Sequence, residues 1–132
     1  MVVVTDGSPV VVVGALVVDG ESDAVLAEGG DAAVAHFRRL VKVHPDGTWR
    51  TKHVTTNAIV ELDGTEETAA CRSVYTVFQQ TPDLPLQAII VGRYHDRFET
   101  IDGRWELTER RYFADLVGDL GDHLLIELRG GR

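Results

Sequence analysis

Residues 91–111, VGRYHDRFETIDGRWELTERR, decide the fold, because two halves rich in β-branched and aromatic residues flank Asp102-Gly103. An Asp-Gly pair between such halves is the strongest short-range signal for a hairpin with a type I′ turn. If these two residues form the turn, counting outward sets Phe98 opposite Leu107. The stretch therefore predicts a long antiparallel hairpin with one apolar face and one wetter face. The wetter face is assigned Arg93, His95, Arg97, Glu99, Glu106, Thr108 and Arg110.

The same count places a polar group within the apolar face, with Asp96 opposite Glu109 and Tyr94 opposite Arg111. Two carboxylates directly across a ladder repel each other, so they need a cation, a shared proton or a bulge that separates them. Arg111 is the obvious cation. Two interpretations stay open: a structural ion network, or a pocket in which Asp96 or Glu109 has a raised pKa and exchanges a proton with a bound molecule.

The rest of the chain predicts one helix and further strands. Residues 10–18 are almost entirely apolar and β-branched, which favours a buried strand, and residues 24–27 form a short return strand. Asp31 is predicted to cap a helix whose apolar residues recur at helical spacing. Long strands are predicted near 49–62, 67–79, 86–100 and 104–116. This order predicts a single α+β domain over residues 1–132, in which a curved antiparallel sheet wraps around a helix.

Composition restricts the class of partner. The chain has 132 residues, of which 44% are hydrophobic and 26% charged, as in an ordinary soluble globular domain. A formal net charge of −8 argues against nucleic acid, which is bound by clustered Lys and Arg. No apolar segment is long enough to span a membrane. The single cysteine, Cys71, is interpreted as inert packing and fits a reducing, cytoplasmic location.

Three stretches together are similar to a known family: TKHVTTNAIV (51–60), the hairpin quoted above, and DLVGDLGDHL (115–124). They resemble the SnoaL-like branch of the nuclear transport factor 2-like (NTF2-like) superfamily, which includes polyketide cyclases, scytalone dehydratase and the small subunits of ring-hydroxylating dioxygenases. The resemblance covers most of the chain and implies a cone-shaped fold with a cavity for a small hydrophobic ligand. It is specific for the fold and weak for the activity, because this superfold carries many functions.

The resemblance also implies site residues. In the dehydratases of this family a cavity histidine stands at the position of His53, which predicts His53 as a catalytic base. Tyr94 and Asp96 are predicted to polarise or protonate an oxygen of the ligand. Further residues are predicted to line the pocket: Thr55, Asn57, Phe98, Trp105, Glu109 and Arg111.

A plainer interpretation of His53 stays open. His53, Thr55 and Asn57 alternate with an apolar set in the same strand, Val54, Ala58, Val60 and Leu62. An apolar face packed on the core and a solvated polar face would explain this alternation without any chemistry.

The sequence departs from the family pattern at its amino terminus. The family begins with two helices that carry a tyrosine and an aspartate, and no segment before residue 10 has the pattern of either helix. The partner of His53 is therefore expected to be missing. Three explanations stay open: a gene product started too late, a fragment, or a shortened member whose cavity is closed by another subunit.

No metal or cofactor is predicted. Asp115, Asp119, Asp122 and His123 lie close together in sequence, but their spacing does not match a calcium loop, and a solvated chain end is the expectation. Gly29-Gly30 lacks the spaced glycines of a dinucleotide-binding loop.

Three functional hypotheses follow. The first is a protein that binds a hydrophobic cyclic or polyketide-like molecule. The second is a cofactor-independent lyase or isomerase, a dehydratase or cyclase, with His53 as general base. The third is a non-catalytic accessory or oligomerising subunit. A homodimer is expected, and whether the chain is an enzyme stays open at this point.

Overall fold

The computed structural model describes residues 16–125, which form one α-helix and a six-stranded sheet. The long strands are found where the sequence predicts them. The part of the predicted first strand that precedes residue 16 lies outside the described residues. The elements are β1 (Leu16–Asp19), β2 (Val25–Glu28), α1 (Gly30–Leu40), β3 (Thr51–Leu62), β4 (Thr68–Thr81), β5 (Leu84–Ile101) and β6 (Arg104–Val117).

The strands lie in the order β2-β1-β6-β5-β4-β3, so β2 and β3 are the edges of the sheet. The α+β prediction is confirmed, and four of the five strand pairings are antiparallel as expected. The pairing of β1 with β6 is parallel, which makes the sheet mixed. Within residues 16–125, no helix is long and apolar enough to cross a membrane.

The β5–β6 hairpin has the predicted turn but not the predicted register beyond Leu107. Asp102 and Gly103 both have positive φ, 50° and 76°, as a type I′ turn requires, and Phe98 lies opposite Leu107. Thr108 is then an extra residue in β6, because Arg97 pairs with Glu109. The prediction that Asp96 faces Glu109 and Tyr94 faces Arg111 is therefore wrong.

This bulge reverses the faces of β6 because one inserted residue moves every later side chain to the other side of the sheet. Asp96 lies opposite Arg110, and Tyr94 lies opposite Tyr112. Arg110, assigned from the sequence to the wetter face, instead shares a face with Asp96. A bulge was one of the three predicted ways to relieve the repulsion between Asp96 and Glu109, and it is present in the structure.

The helix packs on one face of the sheet, which we call the inner face. Ala33 of α1 is fully buried against Val17, Ala27 and Leu107, with Phe37 packed around them. The N-cap of α1 is Gly29, with φ 84°, and not Asp31 as predicted. Asp31 lies in the first turn instead, where a carboxylate is favoured by the helix dipole.

A second core cluster lies on the inner face of β4 and β5. Its buried residues are Tyr75, Val77, Leu84, Ile89 and Tyr94, and Leu120 packs against them. By strand register, His53 lies next to this cluster, opposite Val77.

The plainer interpretation of β3, in which its apolar face packs on the core, is wrong. Val54, Val60 and Leu62 are 44%, 62% and 59% exposed. The physical reason is that β3 is an edge strand with its own bulge, between Thr56 and Ile59, so the alternation changes sides within the strand.

Gly92 leaves room for the Tyr75 side chain to pass over β5 and reach the backbone of β6. A Cβ atom built at Gly92 would lie 1.8 Å from the backbone oxygen of Phe113 and 2.8 Å from the Tyr75 hydroxyl. The Tyr75 hydroxyl instead donates a hydrogen bond of 3.0 Å to that Phe113 oxygen. A side chain of any size at residue 92 would force β5 and β6 apart and would break this bond.

Replacing Gly92 by alanine should therefore lower the free energy of unfolding by about 3 kcal/mol or more, the upper range for overpacking a core. Gly64→Ala is the matched control, because nothing lies within 4 Å of a Cβ atom at that turn. Urea titration of both variants checks this. Equal stability of the two variants would contradict the close approach at Gly92.

Candidate functional site

The centre of the inner face holds a buried ion pair. Arg110 Nε and Nη2 donate to the two carboxylate oxygens of Asp96, at 2.8 and 2.9 Å. Asp96 is only 4% exposed, and the side chain of Arg110 is 16% exposed. A bidentate arrangement of this kind is the strongest geometry for an arginine–carboxylate pair. Because both partners are largely removed from water, breaking the pair would leave a buried charge without compensation.

Two aromatic rings, Tyr94 and Tyr75, stack in sequence on the Arg110 side of this ion pair. The guanidinium carbon of Arg110 lies 3.9 Å from the ring centroid of Tyr94. Tyr94 stacks on Tyr75, with centroids 4.3 Å apart and an interplanar angle of 15°. The guanidinium is thus held by a carboxylate and by the face of a ring, which attracts cations. We call Asp96, Arg110, Tyr94 and Tyr75 the inner-face cluster.

The four members of the inner-face cluster differ in what they can offer a ligand. The hydroxyl of Tyr75 is engaged by the backbone of β6, so Tyr75 serves the fold. Arg110 uses Nε and Nη2 on Asp96, and within residues 16–125 its Nη1 makes no hydrogen bond, which leaves two N–H donors. Burial raises the pKa of Tyr94 to about 12, so its phenol is a neutral donor at physiological pH.

His53 lies on the inner face of β3 and is half-buried. Burial lowers the pKa of its imidazole, and the positive charge of Arg110 lowers it further. The influence of Arg110 connects His53 electrostatically to the inner-face cluster. At neutral pH the ring is therefore uncharged, which is the state that a general base needs.

The C-terminal segment closes one end of the sheet, and the prediction of a solvated chain end for Asp122 and His123 is wrong. The amide nitrogen of Gln79 donates to the backbone oxygens of Trp49 and Asp122, at 3.2 and 3.1 Å. The Thr81 hydroxyl donates to the Asp122 carboxylate at 2.5 Å. These long-range bonds hold residues 119–125 against β4.

His123 is buried in this segment and carries an incompletely bonded ring. Its Nδ1 makes no hydrogen bond to any residue from 16 to 125. Its backbone oxygen accepts a bond of 2.8 Å from the Lys42 amide. Burial lowers the pKa of His123 to about 4, and the neighbouring His53 and His44 lower it in the same direction. The ring is therefore neutral at physiological pH.

The predicted pocket residues are not gathered in one place. Thr55 and Asn57 are exposed, and Asn57 has a positive φ of 57° at the bulge of β3. Trp105 is 48% exposed near the hairpin turn, whereas Phe98 packs against the helix core.

Glu109 and Arg111 lie on the outer face of β6. Arg111 contacts Glu109 at 3.5 Å and also pairs with Asp23. Among the predicted residues, Tyr94 and Asp96 both contact Arg110, and His53 lies on the same face, where the charge of Arg110 influences its pKa. Sequence reasoning missed Arg110, since no signal in the sequence marks the bulge at Thr108.

A groove of about 330 Å³ lies along the outer side of β3, and His53 is not among its lining residues. Its lining comprises Asp46, Thr48, Arg50, Thr51, Lys52, Phe78, Gln80 and Leu86. Arg50 is engaged there by Asp46 and by the backbone oxygen of Gln80. Within the described residues, no three His, Cys, Asp or Glu side chains converge as a metal site.

The fold agrees with comparisons to known proteins. A putative scytalone dehydratase from Novosphingobium aromaticivorans is 20% identical over 90% of this chain and 71% of its own, with a TM-score of 0.58. An NTF2-like protein with a cystatin-like fold from the same organism is 20% identical over 80% of this chain and 64% of its own, with a TM-score of 0.59. These likenesses define an NTF2-like fold.

The family follows from the sequence profile of the SnoaL-like domain, which matches residues 12–111. The chain belongs to this family. A variant of Rv3472 from Mycobacterium tuberculosis, a protein of unknown function, is 28% identical over 81% of this chain, with a TM-score of 0.57. This chain spans 57% of the length of that protein. No protein of curated function matches the chain.

The buried and exposed ion pairs should differ strongly in their effect on stability. Asp96→Ala should lower the free energy of unfolding by about 3–5 kcal/mol, because Arg110 then stays buried without its partner. Asp115→Ala removes the equivalent carboxylate from Arg93, in an exposed pair with contacts of 2.8 and 3.0 Å. That control should cost about 0–1 kcal/mol. Similar losses in chemical denaturation would contradict the burial of the Asp96 pair.

Stability should also fall in mild acid because of His123. Its folded pKa, about 4, lies below the ordinary value of 6.5, so folding favours the neutral ring. The stabilisation is complete above pH 6.5 and is lost as the pH falls towards 4, by on the order of 3 kcal/mol in total.

Denaturation curves recorded from pH 7.5 to 4.5 measure this loss. His123→Asn should reduce the pH dependence, and His53, whose pKa burial also lowers, should account for part of what remains; His95→Asn on the outer face should leave the dependence unchanged. An unchanged slope in His123→Asn would contradict the assignment.

Proposed function

We propose that the chain binds a small, largely apolar cyclic molecule that carries an oxygen acceptor, against the inner-face cluster. The observation that carries this proposal is the Arg110 guanidinium, which Asp96 and Tyr94 orient and whose Nη1 donors have no acceptor among the described residues. Specific ligand sites commonly combine apolar and aromatic walls with a few placed polar groups. A hydroxylated aromatic, a cyclic ketone or a polyketide-like molecule has the required chemistry.

Each residue has a distinct role in this proposal. Arg110 Nη1 and the neutral Tyr94 phenol donate to the ligand oxygen. Asp96 holds the guanidinium in place and does not exchange a proton, since both of its oxygens accept from Arg110. His53 contacts the ligand further along the face and accepts a proton or a hydrogen bond.

A second candidate is a cofactor-independent lyase or isomerase with His53 as general base. The neutral state of His53 favours it, because an uncharged imidazole can take a proton from a carbon next to a carbonyl group. Negative charge that develops on the carbonyl oxygen would be stabilised by Arg110 and Tyr94. The structural likeness to a putative scytalone dehydratase supports this candidate at the level of the fold.

The third candidate, an accessory subunit in the cytoplasm that binds no small molecule, is favoured by the exposed apolar side chains of β3, such as Val60 and Leu62, which a protein partner would cover. If this candidate is correct, no compound in a broad panel of small molecules should show saturable binding.

A panel of cyclic ketones and hydroxylated aromatics, screened by thermal shift and calorimetry, tests the proposal. Tyr94→Phe should lower the affinity for a ligand of this site by about fivefold to tenfold, the loss expected for one hydrogen bond. His95→Ala is the matched control, because His95 lies on the outer face beside Phe113. Binding that survives Tyr94→Phe and Arg110→Met would contradict the inner-face site.

Turnover separates the two leading candidates. An enzyme should lose activity by about 10²–10⁴-fold in His53→Ala with its fold retained. A binding protein should show saturable binding and no product.

A further inference from the structure

Two buried polar atoms at the end of the sheet that the C-terminal segment closes have no hydrogen-bond partner among residues 16–125. They are Gln79 Oε1 and His123 Nδ1. Gln79 is 1% exposed and His123 is 6% exposed. A buried polar atom without a partner loses its hydrogen bonds to water on folding and gains none in return, so native proteins contain few of them. Two such atoms on neighbouring segments indicate a site that takes a polar group.

The orientation of the Gln79 side chain is fixed by its amide nitrogen. Nε2 donates to the backbone oxygens of Trp49 and Asp122, at 3.2 and 3.1 Å. The flipped amide would set an oxygen against both of these acceptors, so the hydrogen-bond network assigns the two amide atoms. Oε1 is therefore an acceptor, and it points away from both carbonyl groups.

Oε1 and the His123 ring belong to neighbouring groups. Gln79 bonds to the backbone oxygen of Asp122, the residue before His123. By strand register, His53 lies one inner-face position away from Gln79, and a positive charge on His53 lowers the pKa of His123. Arg110 in turn lowers the pKa of His53. The half-buried His53 thus lies between the inner-face cluster and the two atoms that lack partners.

One hydroxyl group matches the needs of both atoms. A hydroxyl has one hydrogen to donate and lone pairs that accept, so it can donate to Gln79 Oε1 and accept from a protonated Nδ1 of the neutral His123 ring. A carbonyl or carboxylate oxygen has no hydrogen to give to Oε1. An amine is a cation at physiological pH, and burying a cation costs far more than burying a hydroxyl.

We propose that Gln79 Oε1 and His123 Nδ1 form a second polar subsite, which binds a hydroxyl group of the ligand beside His53. The assignment of this hydroxyl to the end of the ligand remote from Arg110 rests on the proposed function, whereas the subsite itself does not. The ligand then carries an oxygen acceptor at one end, for the donors of Arg110, and a hydroxyl at the other. Its chemical class is a cyclic molecule with two oxygen substituents of different kinds.

Phenol and anisole test the subsite, because the two molecules are similar in shape and only phenol has an O–H group. Long-range proton–nitrogen correlation spectra of the full chain follow the ring nitrogens of each histidine during a titration. Phenol should shift the His123 nitrogens saturably, with a Kd at least about fivefold lower than that of anisole, the difference expected for one hydrogen bond. His36 is the matched control, because its Nε2 is also buried without a partner within residues 16–125, but in α1 rather than beside Gln79.

A saturable response to phenol at His123 and not at His36 would support the subsite. Three results would overturn it: no saturable response to phenol, as a site for water alone would give; equal affinities for phenol and anisole; or an equal response at His36.

Variants of His123 test the role of Nδ1, with the side-chain amide of Gln79 as the reporter. His123→Asn keeps an N–H group near the position of Nδ1 and should preserve the affinity for phenol. His123→Leu should lower that affinity at least about fivefold, because the hydroxyl then loses one partner. Equal affinities in the two variants would overturn the assignment of Nδ1.

Tyr94→Phe separates this subsite from the inner-face cluster. The variant removes a donor proposed to bind the other end of the ligand, so the response of His123 to phenol should stay unchanged. Loss of that response in Tyr94→Phe would assign phenol to the inner-face cluster and overturn the second subsite. Because phenol needs no contact with Arg110, failure of the subsite and failure of the proposed function give different results.

Discussion

The pair between Asp96 and Arg110 controls the arrangement of the inner face. A carboxylate that is 4% exposed can stay charged only with a partner close at hand, and Arg110 supplies two hydrogen bonds to it. Arg110 reaches that face only because Thr108 is inserted into β6. The guanidinium then fixes the ring of Tyr94, and Tyr94 stacks on Tyr75. Removing the bulge would change all of these contacts together.

The same pair sets the protonation states around it. Positive charge at Arg110 lowers the pKa of His53, in addition to the effect of burial. Tyr94 stays protonated because burial raises its pKa, although the nearby guanidinium acts in the opposite direction. The inner face thus combines a fixed cation, a neutral phenol and a neutral imidazole. Such a combination suits recognition of an oxygen atom on an otherwise apolar molecule.

The sequence predicted what depends on local patterns. The Asp102-Gly103 turn, the four long strands and the SnoaL-like resemblance follow from residues close together in the chain, and the structure and the family profile confirm them. The bulge at Thr108 was not predictable from the sequence. Leu107 lies opposite Phe98 with or without the bulge, and the residues next to Thr108 are polar, so the apolar pattern does not distinguish the two registers. The faces of β6 were therefore assigned wrongly after that point.

Long-range contacts account for the remaining differences. His123 is buried because Gln79, Lys42 and Thr81 hold its segment, and these residues lie some 40 to 80 positions earlier in the chain. A single sequence gives no signal for such contacts. Of the predicted site, His53, Tyr94 and Asp96 share the inner face, whereas Glu109 and Arg111 belong to the outer face.

Nuclear Overhauser effects between the Tyr94 ring protons and arginine side chains measure the register of β5 and β6 directly. The structure, with its guanidinium 3.9 Å from the Tyr94 ring centroid, predicts strong cross-peaks to the δ protons of Arg110 and none to Arg111. Cross-peaks from Tyr94 to Arg111 alone would mean that β6 has no bulge, and would contradict the inner-face cluster as a whole.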